Sequence, residues 1–224
     1  MRRFVRECSL SLFFGVIFIG ALVGQAVAGW HQFNSDQLAE GLGQISLGRY
    51  LASADFAVDV TENWQSEYLQ FLLYIVATVW LVQRGSPESK KVGDAGLESP
   101  QQQKLGRYAD DESPAWAKVG GIRMTVFSWS LSLLMAAIFL VSWFVQSVGG
   151  WATYNETRLQ RMQDPLRWSQ YLRDADFWSR TLQNWQSEFL AVGSMAVLSI
   201  YLRQRGSPES KPVGAPHAST GVEG

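Results

Sequence analysis

A shift of 121 residues maps the first half of this chain onto the second without a gap. Asn63-Trp64-Gln65-Ser66-Glu67 returns as Asn184-Trp185-Gln186-Ser187-Glu188, and the stretch from Gln83 to Lys90 returns as Gln204 to Lys211. From Gln25 to Gly93 the two halves agree at 29 of 69 aligned positions. Chance does not give that density, so each half must build the same structural unit. The identities gather at residues 25–34, 50–67 and 83–93, and residues 35–49 have almost none. They therefore fall at the expected ends of helices, not in the apolar interiors.

What kind of unit follows from hydropathy. Residues 10–30 are apolar and uncharged, about the ~20 residues that a helix needs to cross ~30 Å of hydrocarbon. Arg2, Arg3 and Arg6 before this run, and Ala26-Val27-Ala28 near its end, also fit a cleaved signal peptide. The repeat argues against cleavage, because the equivalent residues 127–151 are internal. The low share of charged residues, 17%, against roughly 25% in a soluble domain, points the same way.

The expected plan is two membrane helices per half. In the first half these are residues 10–30 and 66–83, and in the second 127–149 and 187–203. Repeat 1 covers residues 1–93, a mobile linker 94–122, repeat 2 123–214, and a disordered tail 215–224. Asp55 is the expected N-cap of the returning helix, and Gly85 its C-terminal stop. Two spans per repeat give both halves the same orientation, so the pseudo-two-fold axis runs along the membrane normal. Thirteen of the 19 basic residues fall on the side of the termini and the linker. The positive-inside rule places that side in the cytoplasm.

Chemistry is expected where the pentapeptides meet the membrane. Asn63, Ser66, Glu67 and Gln70 share one helix face at spacing i, i+3, i+4 and i+7. Asn184, Ser187 and Glu188 repeat that face. Glu67 lies 17 residues before Arg84, about 25 Å of helix, which sets it near the outer boundary. By the same measure Gln25 and Gln146 reach the depth of Glu67 and Glu188. Two polar clusters are thus expected at one depth, each with a carboxylate. They can serve as interhelical fastening or as a site for a ligand, cation or proton. Arg84, Lys90, Arg205 and Lys211 can hold anionic lipid head groups or close a helix end.

Composition removes several function classes. A net charge of −1 builds no basic face for nucleic acid. One cysteine, Cys8, and two histidines, His31 and His217, give neither a disulfide framework nor a Cys- or His-rich metal site. Neither histidine stands in a recognisable nucleophile–base motif and Cys8 has no partner, so neither an enzyme nor a cofactor is expected.

The Gln25-x-x-x-Gly29-Trp30 motif, the pentapeptide followed by Tyr68 or Phe189 and a leucine, and the Gln-Arg-Gly-Ser-Pro-Glu-Ser-Lys stretch together resemble an uncharacterised family of bacterial membrane proteins. The resemblance covers residues 1–93 and 123–214. It implies a bacterial, inner-membrane protein and carries over no catalytic residue. The expectation is an all-α integral membrane protein of four spans that acts without catalysis, as a structural or interaction protein. Its partners are the lipid bilayer and a second protein or a second copy. The alternative is a small transporter or channel built on the Glu67 and Glu188 clusters.

Overall fold

In this computed structural model, residues 2–222 are described, and among them the chain is all-helical with no strand. The helices are α1 (Arg2–Glu7), α2 (Ser9–Ala39), α3 (Leu47–Leu51), α4 (Ala54–Trp80), α5 (Ala115–Lys118), α6 (Gly121–Ser128), α7 (Ser130–Gln160), α8 (Trp168–Tyr171) and α9 (Ala175–Tyr201). The long helices pair at the 121-residue shift. α2 and α7 each have 31 residues, α4 and α9 each have 27, and the start and end of each pair differ by that shift.

Only α2 and α7, among the described residues, are long and apolar enough to cross a membrane. Their apolar windows are 6% and 22% buried, which leaves most of both apolar faces uncovered. α4 and α9 have the length of a span, but their first halves carry acids, amides and hydroxyls. These include Asp55, Asp59, Glu62, Asn63 and Glu67 on α4, and Asp176, Arg180, Thr181, Asn184 and Glu188 on α9. After Glu67 only 13 residues of α4 remain, about 20 Å of helix. That is short of the ~30 Å hydrocarbon core.

The chain divides into two compact units, Met1–Val60 with Val145–Gln170, and Thr61–Phe144 with Tyr171–Gly224. In the first unit, one device occurs twice. The indole of Trp30 donates to the Ile45 carbonyl at 2.7 Å, and the Asn34 amide pairs with both backbone groups of Ile45 at 2.8 and 3.0 Å. Trp151 donates to the Leu166 carbonyl at 2.6 Å, and Asn155 pairs with both backbone groups of Leu166 at 2.7 and 2.9 Å. Each clamp pins the loop that follows a 31-residue helix. It satisfies a strand-like edge of backbone that no sheet provides. Tyr50 is buried against Phe33 and Phe56, and its hydroxyl donates to Asp59 at 3.4 Å. Gly29 lies under that ring: a Cβ there would stand 2.3 Å from the hydroxyl oxygen.

The second unit is built on α4 and α9 with the lower part of α7. Trp143 stacks on Phe139 and Phe177 at ring distances of 5.4 and 6.1 Å and lies against Trp185 at 5.9 Å. Tyr171, 1% exposed, closes the group from the other side of Phe177 and donates to Asp176 at 3.0 Å. Burial and the nearby Asp176 carboxylate push the Tyr171 phenol well above its ordinary value.

Three details differ from the sequence expectation. The helix cap is Ser53, whose hydroxyl accepts from Phe56 N–H at 3.3 Å, and not Asp55, which stands in the first turn. Its equivalent Asp174 caps α9 in the same way through Asp176 N–H. The long helices end at Trp80 and Tyr201, before Gly85 and Gly206. These glycines have φ of +90° and +81° and sit third in turns closed by Ser86 N–H to Gln83 O and Ser207 N–H to Gln204 O. That position requires positive φ, which explains glycine there better than a helix stop does. Finally, described residues of the linker and of the tail bond to the helix ends. The Gly96 N–H bonds Val79 O at 2.7 Å, and Ala117 is buried. Arg203 donates to Ala215 O at 3.1 Å, Gly85 N–H bonds the Thr220 hydroxyl at 2.8 Å, and Gly221 N–H bonds Ser86 O at 3.0 Å. Polar composition suggested disorder, but backbone-to-backbone and side-chain-to-backbone bonds need no apolar periodicity.

Candidate functional site between the two pentapeptide copies

α4 and α9 meet along a polar seam inside the second unit. At its start Arg180 lies 3.6 Å from Glu62 and 3.3 Å from Asp176. One turn on, the indole of Trp185 donates to the Gln65 side-chain oxygen at 2.7 Å, and the Gln65 amide donates to Glu62 O at 3.1 Å. Gln65 is fully buried. Next, the Ser66 hydroxyl, 1% exposed, donates to Asn63 O at 2.8 Å and stands within hydrogen-bonding reach of Glu188. Glu67 is close enough to Glu188 to act on it electrostatically. Further along, Tyr74 donates its hydroxyl to Glu88, which the turn after α4 folds back against the helix. Partners on α4 and α9 rise together, from Glu62 with Arg180 to Ser66 with Glu188, so the two helices run in the same direction.

The structure therefore brings Ser66, Glu67 and Glu188 into one locus. Asn63 and Asn184 stand beside it mainly through backbone, since their carbonyls accept from Ser66 and Ser187 at 2.8 and 2.9 Å. Ser187 is exposed. Gln25 and Gln146 belong to the first unit. Gln146 is 2% exposed, and neither atom of its amide has a hydrogen-bond partner among the described residues. Gln25 is half-buried. No group of three or more His, Cys, Asp or Glu among the described residues is gathered as a metal ion would need.

The four basic residues at the helix ends differ from one another. Arg84 and Arg205 are exposed. Lys90 donates to Gly96 O at 2.7 Å and pairs with Glu98. Lys211 is 1% exposed, and its ammonium lies among carbonyls: Gly85 at 2.6 Å, His217 at 2.8 Å, Ser219 at 3.3 Å and Pro216 at 3.4 Å. It ties the tail to the turn after α4.

Sequence reasoning passed over Gln65, Tyr74, Glu88, Thr181 and Trp185. A signal for Gln65 was present: Val58, Gln65 and Leu69, all buried, stand at i, i+7 and i+11, which is one helix face. Gln65 on that face meets Trp185 of α9, and Ser66 lies at its edge. No signal of comparable kind marks Glu88, whose role depends on how a turn folds back.

A sequence profile described as Domain of unknown function (DUF6766) matches residues 1–222. No curated protein and no solved structure matches the chain.

Proposed function

The chain belongs to the DUF6766 family, and from that premise and the polar seam we propose that it is a multi-pass protein of a bacterial inner membrane that acts without catalysis, as a structural or interaction protein. In this reading it arose by tandem duplication. α4 and α9 cross the bilayer beside α2 and α7, and both termini lie in the cytoplasm. The equal lengths and constant shift of the long helices support the duplication. Exposed Leu73 on α4, and Leu190, Val197 and Leu198 on α9, support a lipid-facing side for the second pair. The distribution of basic residues supports the orientation.

The observation that carries the proposal is the bond from Trp185 to Gln65, which fastens the second pentapeptide to the first. Buried amides and indoles joined to one another stabilise a helix pair where apolar packing against lipid gives little preference. The test is side-specific labelling of single cysteines in a Cys8→Ser background, with a maleimide that does not cross membranes. Gly43→Cys and Asp164→Cys should label from outside, and Asp94→Cys and Gly214→Cys only after lysis. Labelling of residues 43 and 164 from opposite sides would rule out the four-span, same-orientation plan.

A second reading is a small transporter or channel. It is favoured by the meeting of Glu67, Glu188 and Ser66 in one locus, since two carboxylates and a hydroxyl can share a cation or a proton. Purified protein in vesicles should then carry a proton or cation current that falls in Glu67→Gln and Glu188→Gln. An unchanged current in both variants removes this reading.

A further inference from the structure

Below the two carboxylates, α4 and α9 part around a cavity of about 300 Å³. Its lining is Gln70, Phe71 and Tyr74 of α4, Ala191, Val192 and Met195 of α9, and Glu88 of the turn. The chemistry of this lining is one-sided. The Tyr74 hydroxyl already donates its hydrogen bond to Glu88. The side-chain oxygen of Gln70 is buried and has no hydrogen-bond partner among the described residues. Glu88 has a second carboxylate oxygen, and Glu209, its copy in the second half, is near enough to act electrostatically at the Tyr74 hydroxyl. Among the described residues, no basic side chain lines the space. The nearest lysines of the two turns are engaged elsewhere, Lys90 with Glu98 and Lys211 with backbone carbonyls. The remaining walls are two aromatic rings, a thioether and aliphatic carbon.

We propose that this cavity binds a small organic cation, a protonated amine with a ring or short alkyl body. The lining discriminates against the other classes. An anion would face Glu88, with Glu209 close behind. A bare metal ion would leave Phe71, Val192 and Met195 uncovered. A neutral apolar molecule would leave the Gln70 oxygen without a donor, and a buried acceptor without one is costly. A cation with an apolar body satisfies the carboxylate, covers the walls and places its charge over an aromatic face, which is itself attractive. The volume stands at the small end of ligand cavities. The inference goes beyond the proposed function. It depends on the packing of α4 on α9 and not on how many helices cross a membrane.

The experiment is calorimetric titration of the full chain in detergent at neutral pH with benzylammonium, with benzyl alcohol as the neutral control that keeps a donor but lacks the charge. Saturable one-to-one binding of the cation is expected. Glu88→Gln should weaken it by about tenfold or more, the loss of about 1.4 kcal/mol or more. Ala191→Phe, which fills the cavity, should abolish it. Glu98→Gln, whose carboxylate lies outside the cavity, should leave it unchanged. If Ala191→Phe loses its melting transition, Gln70→Leu serves instead and should also weaken binding. Absence of saturable binding to folded wild type overturns the proposal. So does benzyl alcohol binding as tightly as the cation, or an affinity that Glu88→Gln and the cavity variant leave intact. Because the labelling test reads topology alone, its failure and this one are separable.

Discussion

At the scale of single residues, the two halves use the same side chains for backbone work and different ones for contact between helices. The Asn34 and Asn155 clamps are equivalent to within 0.1 Å in every bond. The sequence marks both asparagines as shared but gives no reason for them, since the partner is a backbone group eleven residues on. Tyr50 and Tyr171 are shared in the same way, yet Tyr50 donates to Asp59 and Tyr171 to Asp176, which stands in the place of Asp55. The substitution of Arg180 for Asp59 at the equivalent position removes the first choice and leaves the second. This yields a pH prediction. Burial first, then the charge of Asp59, pushes the Tyr50 phenol from 10.0 up to about 12. The folded chain therefore keeps a proton that the unfolded chain loses. The stability this contributes is complete below pH 10 and lost as pH rises to about 12. Denaturant melts of wild type and Tyr50→Phe across that range should converge as pH rises. A stability difference that stays constant from pH 9 to 12 contradicts the assignment.

At the scale of elements, the positions of the four long helices were legible because apolar runs and turn residues fix them locally, but α2 and α7 run on to residues 39 and 160, past the expected 30 and 149. The ends of α4 and α9 were not. Both stop at an aromatic residue, three positions before the expected end in α4 and two in α9. The Ser89 and Ser210 hydroxyls accept from Gln83 and Gln204 N–H at 2.8 and 2.9 Å, which draws the chain into the turn early. Close approach between helices was equally invisible. Gly149 of α7 presses on the first turns of α4: a Cβ there would lie 2.7 Å from the Val58 side chain and 3.3 Å from the Ala54 carbonyl. Gly20 of α2 has nothing within 4 Å. Gly149→Ala should cost about 1 to 3 kcal/mol through overpacking, while Gly20→Ala should be neutral or slightly stabilising through helix propensity. Thermal melts in detergent distinguish them, and equal effects at the two sites would contradict the packing of Val58 on Gly149. The fourth element, α9, repeats the lesson in reverse. Its pentapeptide is identical to that of α4, but α4 turns Gln65 and Ser66 inward whereas α9 turns Trp185 and Glu188.

At the scale of the whole molecule, two copies of one sequence cannot remain equivalent when parallel helices meet face to face and a tail follows only one of them. Lys90 and Lys211 occupy the same place in the repeat. Only Lys211 is enclosed, because only it has residues 212–222 to wrap over it. Lys211→Met should cost about 2 kcal/mol, since it leaves buried carbonyls without a donor. Lys90→Met should cost less than about 1 kcal/mol, because its partner Glu98 is partly exposed and the pair is screened. Chemical melts of the two variants check this, and a larger loss in Lys90→Met would show that the tail does not hold. The sequence by itself determined the all-helical class, the pairing of the long helices at one shift, the family and the places where polar groups enter apolar helices. Each of these depends on spacing along the chain, on local hydropathy or on residues matched one by one. Which copy of a shared residue is buried, that Glu188 meets Ser66 and not its own Ser187, and that Glu88 folds back on Tyr74 were decided only in the tertiary structure. Identical segments carry identical local information, and only the neighbours each one packs against can make them differ.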